Sequence, residues 1–306
     1  MMPLVNEESR THEGEQTVQR RAGEHRPNRG SPMFGPDVHP TFVNLIRSQA
    51  MVAIGCADDN QEVWATLLTG AAGFANPVGD TSIEFGSLPS VVDPLAGAFE
   101  VARPSGALFL DTATLRRVRA NGQVWRHGDR LVMQTEQVFR NCTKYINQRV
   151  LAAPAKPEEP TRTDGVELTS AQQSWIAGSD TFFIASYSPK HGADVNHRGG
   201  RPGFVIPQGG RRLKWPDYPG NSFYMTFGNL ELNPACGLCF VDWERGRTLH
   251  LTGQASVDWG NDKEADPTRF VHFDVSRVAE VRNATALRWT LIDYSASTPK
   301  PKESNQ

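Results

Sequence analysis

The chain repeats itself, and this limits what it can fold into more than any other feature. At an offset of 130, Ile54, Gly70, Gly73 and Phe74 fall on Ile184, Gly200, Gly203 and Phe204. A one-residue change to 131 then places Gly106, Phe109, Asp111, Arg116 and Gly122 on Gly237, Phe240, Asp242, Arg247 and Gly253. Ordered matches of this kind, with one insertion, are a poor product of coincidence. Whatever one half builds, the other half builds again. Two copies in one chain can then face each other as the subunits of a homodimer do.

The remaining sequence divides around that repeat. Residues 1–33 contain no Phe, Tyr or Trp and balance five arginines against five glutamates, so they read as a disordered tail. Residues 34–151 form the first unit and 169–295 the second. Between them, 152–168 hold three prolines among mixed charges and read as a semi-rigid linker. Residues 296–306 read as a second tail. A length of 306 residues accommodates two domains of roughly 150 each. A net charge of −2 argues against a dedicated nucleic-acid binder. No apolar run approaches the roughly 20 residues that span a bilayer. The first residues lack the pattern of a secretory signal. The expectation is a cytoplasmic protein with no membrane partner.

Short helical patterns open each unit at His39–Gln49 and Ser170–Ala177. Short β-rich runs follow at Met51–Cys56, Thr81–Phe85, Gly106–Asp111 and Arg117–Gly122. In the second unit they fall at Thr181–Tyr187, Gly203–Ile206, Gly237–Asp242 and Thr248–Gly253. Val118 and Ala120, like Leu249 and Leu251, alternate with other residues as half-buried antiparallel strands require. Many short strands separated by Gly, Pro and Asn favour a barrel over a βαβ sheet.

The ordered motifs carry a family likeness. They are Asp194-Val-Asn-His-Arg-Gly-Gly-Arg-Pro-Gly-Phe204, Pro216-Asp-Tyr-Pro-Gly-Asn-Ser222, Gly228-Asn-Leu-Glu-Leu-Asn-Pro234 and Gly237-Leu-Cys-Phe-Val-Asp242. The first unit adds Gly70-Ala-Ala-Gly-Phe74, Leu115-Arg-Arg-Val-Arg-Ala-Asn-Gly122 and Asn141-Cys-Thr-Lys-Tyr-Ile146. Over residues 34–294 the chain resembles the pyridoxamine 5'-phosphate oxidase-like FMN-binding split-barrel superfamily. The resemblance implies a mainly β fold of two tandem split β-barrels, six strands each, packed as a pseudo-dimer. It implies FMN, or a deazaflavin relative, between the barrels. The substrate signature of true pyridoxamine phosphate oxidases, with its arginine and histidine, has no counterpart here, so oxidation of vitamin B6 is not expected. The function implied is a flavin-dependent oxidoreductase acting on a small molecule. NAD(P)H or a separate reductase would serve as electron donor, and a homodimer of the chain is allowed. The alternatives are a non-catalytic flavin or haem binder, or a haem-degrading split-barrel enzyme.

Within that reading His197, Arg198, Gly199 and Gly200 are the leading cofactor residues. Arginine offers a planar fork to phosphate, and glycines let backbone N–H groups approach an anion. The equivalents of His197 and Arg198 in the first unit are Leu67 and Leu68, so the two sites cannot be equal. Asn221, Ser222 and Asn229 supply neutral donors, though Gly-Asn pairs are also ordinary turn residues. Arg117 and Arg119 share one strand face, which could grip phosphate from the partner barrel or could be solvated. Trp215 could flank a flavin ring or pack in a core. Cys236 and Cys239 are three apart on a strand and point to opposite faces, so neither a disulfide nor a metal site is expected between them. No H-E-x-x-H, G-x-S-x-G or G-x-G-x-x-G motif occurs. Chemistry carried by a cofactor fits this lack of protein nucleophile motifs.

Overall fold

The computed structural model describes residues 11–26, 34–260 and 269–299. Helices α1 (Glu13–Arg21) and α2 (Pro40–Ser48) precede β1 (Met51–Ala57), β2 (Val63–Thr69), β3 (Ala75–Pro77) and β4 (Ser82–Phe85). The first unit closes with β5 (Arg103–Asp111), β6 (Arg116–His127) and β7 (Arg130–Arg140). Strands β8 (Gln148–Leu151) and β9 (Thr161–Gly165) follow. The second unit holds α3 (Ser170–Gly178), β10 (Thr181–Ser188), β11 (Gly192–Gly199), β12 (Ile206–Pro207), β13 (Arg212–Pro216) and α4 (Met225–Leu232). It ends with β14 (Ala235–Asp242), β15 (Arg247–Asp258) and β16 (Phe270–Arg282), after which β17 (Trp289–Asp293) pairs with β8.

Each unit is one antiparallel sheet. The strand orders are β2-β1-β5-β6-β7-β4-β3 and β11-β10-β14-β15-β16-β13-β12, seven strands on each path rather than six, with β9 added beside β16. The two orders are the same order. Registers repeat as well: Ile54 faces Thr66 and Ala107, and its counterpart Ile184 faces Asn196 and Leu238. A bulge falls between Asn121 and Gly122 in one sheet and between Thr252 and Gly253 in the other. A Cβ on Gly122 or Gly253 would lie 2.0 Å from the carbonyl oxygen of Gln134 or Asp274, so the bulge fixes glycine in both copies. The fold is a doubled split barrel.

Each sheet curls around its own core. Ile54, Phe85 and Phe109 fill the first; Phe182, Ile184, Trp215 and Phe240 fill the second. The opposite faces of the same central strands are buried too. Met51, Ala53 and Ala65 meet Phe183, Ala185 and Val195 in a third cluster between the units. This is why β1 is buried at every position and shows no alternation. Small residues set the separation. A Cβ on Gly106 would lie 2.5 Å from the Val195 nitrogen, and one on Gly237 would lie 2.4 Å from the Val63 oxygen. The units therefore pack as a pseudo-symmetric pair. Cys236 lies in the second barrel core and Cys239 between the units, and all four thiols are free.

Several expectations are corrected. Residues 11–26, assigned to a disordered tail, are built onto the second unit, while 1–10 and 27–33 lie outside the described residues. A capping box between His12 and Glu15 starts α1. A Cβ on Gly14 would lie 2.2 Å from the Gly228 oxygen, and Val18 enters the second core. The Gln19 side chain donates to the Phe223 carbonyl at 3.2 Å. The segment is held by close backbone approach and polar contacts rather than by aromatic burial, which is why composition misjudged it. Within the expected linker, Thr161–Gly165 pairs along β16. The expected strand at Gly203–Ile206 is mostly turn, with Gly203 at φ +93. The expected turn at Gly228–Asn229 lies inside α4. Residues 300–306 of the second tail lie outside the described residues.

Among the described residues no helix is long and apolar enough to cross a membrane. The tight inter-unit contact yields a first prediction. Gly237→Ala pushes a methyl against the backbone of β2 and should destabilise the chain by about 1–3 kcal/mol. Urea unfolding followed by tryptophan fluorescence should show one transition, shifted to lower denaturant. An unchanged midpoint, or one unit melting alone, would contradict the shared interface.

Candidate functional site

The face of β6 that carries Arg117 and Arg119 is not solvated. Val118 and Ala120 point into the first barrel, so the two arginines point out of it, towards β11 of the second. Both are buried, at 6% and 1% exposure. Burying guanidinium groups without partners is costly, so their contacts matter.

Arg119 is paired at one end: its Nη1 lies 2.5 Å from Asp194 Oδ1 and its guanidinium sits 4.7 Å from the Phe139 ring centre, while its buried Nε has no partner among the described residues. The other carboxylate oxygen of Asp194 accepts from Thr226 Oγ1 at 3.3 Å. Arg117 is not matched by any carboxylate. Its Nε donates to the Cys142 carbonyl at 2.8 Å, its Nη1 meets His197 Nδ1 at 3.3 Å, and its Nη2 reaches Cys142 Sγ at 3.5 Å. A guanidinium only donates, so His197 Nδ1 is an acceptor. Burial, with Arg117 and Arg198 nearby, drives the His197 pKa well below its ordinary value, so the imidazole is neutral. Burial also lowers Arg117 to about 10, which leaves it charged at neutral pH.

Arg198 extends from the neighbouring position of β11, and its buried Nε has no partner. Burial lowers its pKa, against the pull of Asp217. Asp217 itself is ion-paired to Arg269 at 3.1 Å. Among the described residues neither Arg117 nor Arg198 has a carboxylate within 4.0 Å. The cleft thus holds two guanidinium groups, Arg117 buried and Arg198 half-buried, that are in no ion pair among the described residues.

Two adjoining cavities open there. One, about 530 Å³ counting its mouth, is lined by Arg117, Asn141, Cys142, His197, Arg198 and the loop from Pro216 to Asn221. The other, about 410 Å³, shares Arg198 and Asn221 and reaches Arg119 and Ser222. The structure therefore brings together His197, Arg198, Gly199, Asn221, Ser222, Arg117 and Arg119. A Cβ on Gly199 would lie 2.0 Å from the Tyr145 oxygen, so this glycine allows the Asn141–Ile146 loop to close on β11. Two expected residues are elsewhere. Gly200 makes room for Phe204, its Cβ position lying 2.3 Å from that ring. Asn229 is buried in α4, where its side chain donates to Ser186 Oγ at 3.1 Å. Trp215 is core, at 1% exposure. Sequence reasoning gave no role to Asp194, Asp217, Asn141 or Tyr218. Asp194 was the detectable one: an acidic residue four before Arg198 on a strand buried on both faces needs a cation.

The repeat supplies a second cleft, and it has changed character. Leu108 faces Arg119 in the first sheet, and Cys239 faces His250 at the same place in the second. Thr248 and His250 replace Arg117 and Arg119, while Leu67 and Leu68 replace His197 and Arg198. His250 Nδ1 donates to the Ala65 carbonyl at 2.9 Å and its Nε2 accepts from Thr248 Oγ1 at 2.7 Å. Asp93 accepts from Thr66 Oγ1 and from the Leu95 amide. The cavity, about 460 Å³, has no arginine or lysine in its lining. Only one of the two clefts is cationic.

No family model and no curated protein matches the chain. Solved structures do. A Clostridium acetobutylicum protein of the pyridoxinephosphate oxidase family is 12% identical, over 39% of this chain and 89% of its own, at a TM-score of 0.27. A FAD-binding protein from Mesorhizobium loti is 9% identical over 39% and 97%, at 0.27. HutZ, a haem storage protein from Vibrio cholerae, is 12% identical over 35% and 89%, at 0.26. These neighbours are split-barrel proteins, and each spans a length close to one unit.

Helix α1 packs on α4 near this site. Glu24, just after it, accepts from Ser222 Oγ and from Tyr224 Oη, and Glu15 is buried at 2% exposure. Burial, with Asp194 adding to it, raises the Glu15 pKa to about 8 from an ordinary 4.5. The folded form holds a proton that the released helix gives up, so the stability this confers is complete below pH 4.5 and is lost as pH rises through 8. Docking of α1 should weaken across that window by up to about 1.4 kcal/mol per pH unit. Amide exchange of α1 and α4, corrected for intrinsic rates, should show this slope, and Glu15→Gln should flatten it. An equal slope in both proteins would refute the assignment.

Proposed function

We propose that the cationic cleft binds FMN through its phosphate and that the chain is a flavin-dependent oxidoreductase. The observation that carries this reading is the pair of guanidinium groups, buried Arg117 and half-buried Arg198, with no carboxylate within 4.0 Å among the described residues. Such a pair is stable when an anion enters with hydrogen-bond acceptors of its own. The fit extends to unsatisfied atoms: the buried Nε of Arg198 lacks an acceptor and Oδ1 of Asn141 lacks a donor. A phosphate offers the first, and an imide or hydroxyl group offers the second.

Bound flavin would supply hydride and electron transfer. The protein's residues hold and orient. Arg117 and Arg198 fix the anion, and neutral His197 holds Arg117 at Nη1 without adding charge. Asn221 offers a neutral donor at the rim, while the Ser222 hydroxyl beside it donates to Glu24. Tyr145 and Tyr218, with ring centres 5.2 Å apart, border the opening and shield it from water. The sequence reading of a small-molecule substrate, with NAD(P)H or a reductase as electron donor, completes the proposal. One cofactor per chain is expected, because the second cleft is lined by Thr248 and Leu67 and by no arginine or lysine.

The test compares FMN with riboflavin, which lacks the phosphate. Arg198→Met should weaken FMN binding about 10- to 100-fold, the effect of losing a charge-assisted contact, and leave riboflavin binding nearly unchanged. Arg117→Met should act in the same direction. Wild-type FMN affinity in both variants would move the phosphate elsewhere. If the wild type binds neither flavin but takes up haemin with a Soret band, the haem reading replaces this one.

A further inference from the structure

The cleft contains a nucleophile that phosphate binding leaves unused. Cys142 lines the same cavity as Arg117 and Arg198, is only partly buried, and has its Sγ 3.5 Å from Arg117 Nη2. The other cysteines are shut away. Burial pushes the Cys56 thiol up to about 12 and raises Cys236 and Cys239 as well. Thiols react where solvent reaches them and a cation offsets thiolate charge, and among the four only Cys142 meets both conditions.

A second observation says what would enter. Asn141, next in sequence and 4% exposed, lines the cavity with its Oδ1 unpartnered, and the buried Arg198 Nε is likewise unpartnered. A visitor that satisfies both must carry an N–H or O–H donor together with an anionic acceptor. A small peptide disulfide with free carboxylates has both.

We propose that Cys142 is a redox modification site that exchanges with small anionic disulfides of the glutathione class, and that the adduct closes the anion cleft. The Cys142 thiolate attacks one sulfur of the disulfide. A new S–S bond forms as the original one breaks, and the departing thiolate takes a proton from water. Cys142 is oxidised and half of the reagent is reduced, so no other oxidant is needed. The closing of the cleft rests on the FMN reading; the selectivity of the thiol does not.

The test uses the full chain, with oxidised glutathione as the anionic disulfide and cystamine as the cationic one, at equal concentration and low salt. Peptide mass mapping should place the adduct on Cys142. The anionic reagent should react faster by about tenfold or more, as expected for a cleft of one charge sign, and high salt should erase much of that advantage. Arg198→Met should reduce the advantage without moving the adduct. The glutathionylated protein should lose FMN binding and regain it on reduction. An adduct spread over Cys56, Cys236 or Cys239, or equal rates for the two reagents, would overturn the proposal. Unchanged FMN affinity in the adduct would overturn the closing of the cleft. Failure of the unmodified protein to bind FMN would refute the function proposed above, while the adduct position and the rate ratio would still decide the role of Cys142.

Discussion

The rest of the structure depends on the contact between the two sheets at their central strands. Gly106 meets the backbone at Val195 and Gly237 meets it at Val63, so β5 packs on β11 and β14 on β2 almost without intervening side chains. Separation at this distance buries both faces of β1 and β10. It also carries β6 across to β11, which places two arginines where solvent cannot reach them. With larger residues at these glycines the units would stand apart, and Arg117 and Arg119 would lie on an open, hydrated strand.

Pseudo-symmetry then provides two clefts from one design. In a true homodimer they would be identical, whereas a single chain lets them diverge. Here one cleft keeps Arg117, Arg119, His197 and Arg198. The other has replaced them with Thr248, His250, Leu67 and Leu68, and hydrogen-bonds its remaining polar groups internally. The second cleft is self-satisfied: His250 and Asp93 both have partners within the protein. The cationic cleft is not, since Arg198 Nε and Asn141 Oδ1 have none among the described residues. Unsatisfied buried polar atoms are rare in folded proteins, and the binding proposed above would give these two their partners.

What was legible in the sequence was whatever the repeat or a glycine had to fix. Gly122 and Gly253 mark the bulge, Gly70 and Gly200 make room for Phe74 and Phe204, and Arg198 stood out because Leu68 is its counterpart. Contacts that depend on the distance between units were not legible. Arg117 and Arg198 read as separate candidates because they are far apart in sequence, and only the packing of β6 on β11 joins them. Helix α1 was invisible to composition because it docks through Gly14 and Gly228 and through a buried Gln19, not through an apolar stripe. Asn229 misled for the converse reason: a Gly-Asn pair usually marks a turn, but here tertiary packing keeps it helical.

Helix α1 bears on the charge near the cleft, through Glu15 beside Asp194 and Arg119. Four acidic residues lie near the arginines, and one of them, Glu24, accepts from Ser222 and Tyr224. Asp194 is committed to Arg119 at 2.5 Å and Asp217 to Arg269 at 3.1 Å. Glu15 is the fourth, and burial raises its pKa to about 8, so it retains its proton at neutral pH and contributes no charge. An ionised Glu15 beside Asp194 would add a second buried anion to a pair already balanced, which burial forbids. The docked helix therefore supplies a neutral carboxyl rather than a counter-ion. Among the described residues no carboxylate lies within 4.0 Å of Arg117 or Arg198, and Asp217, ion-paired to Arg269, acts on Arg198 only from farther off.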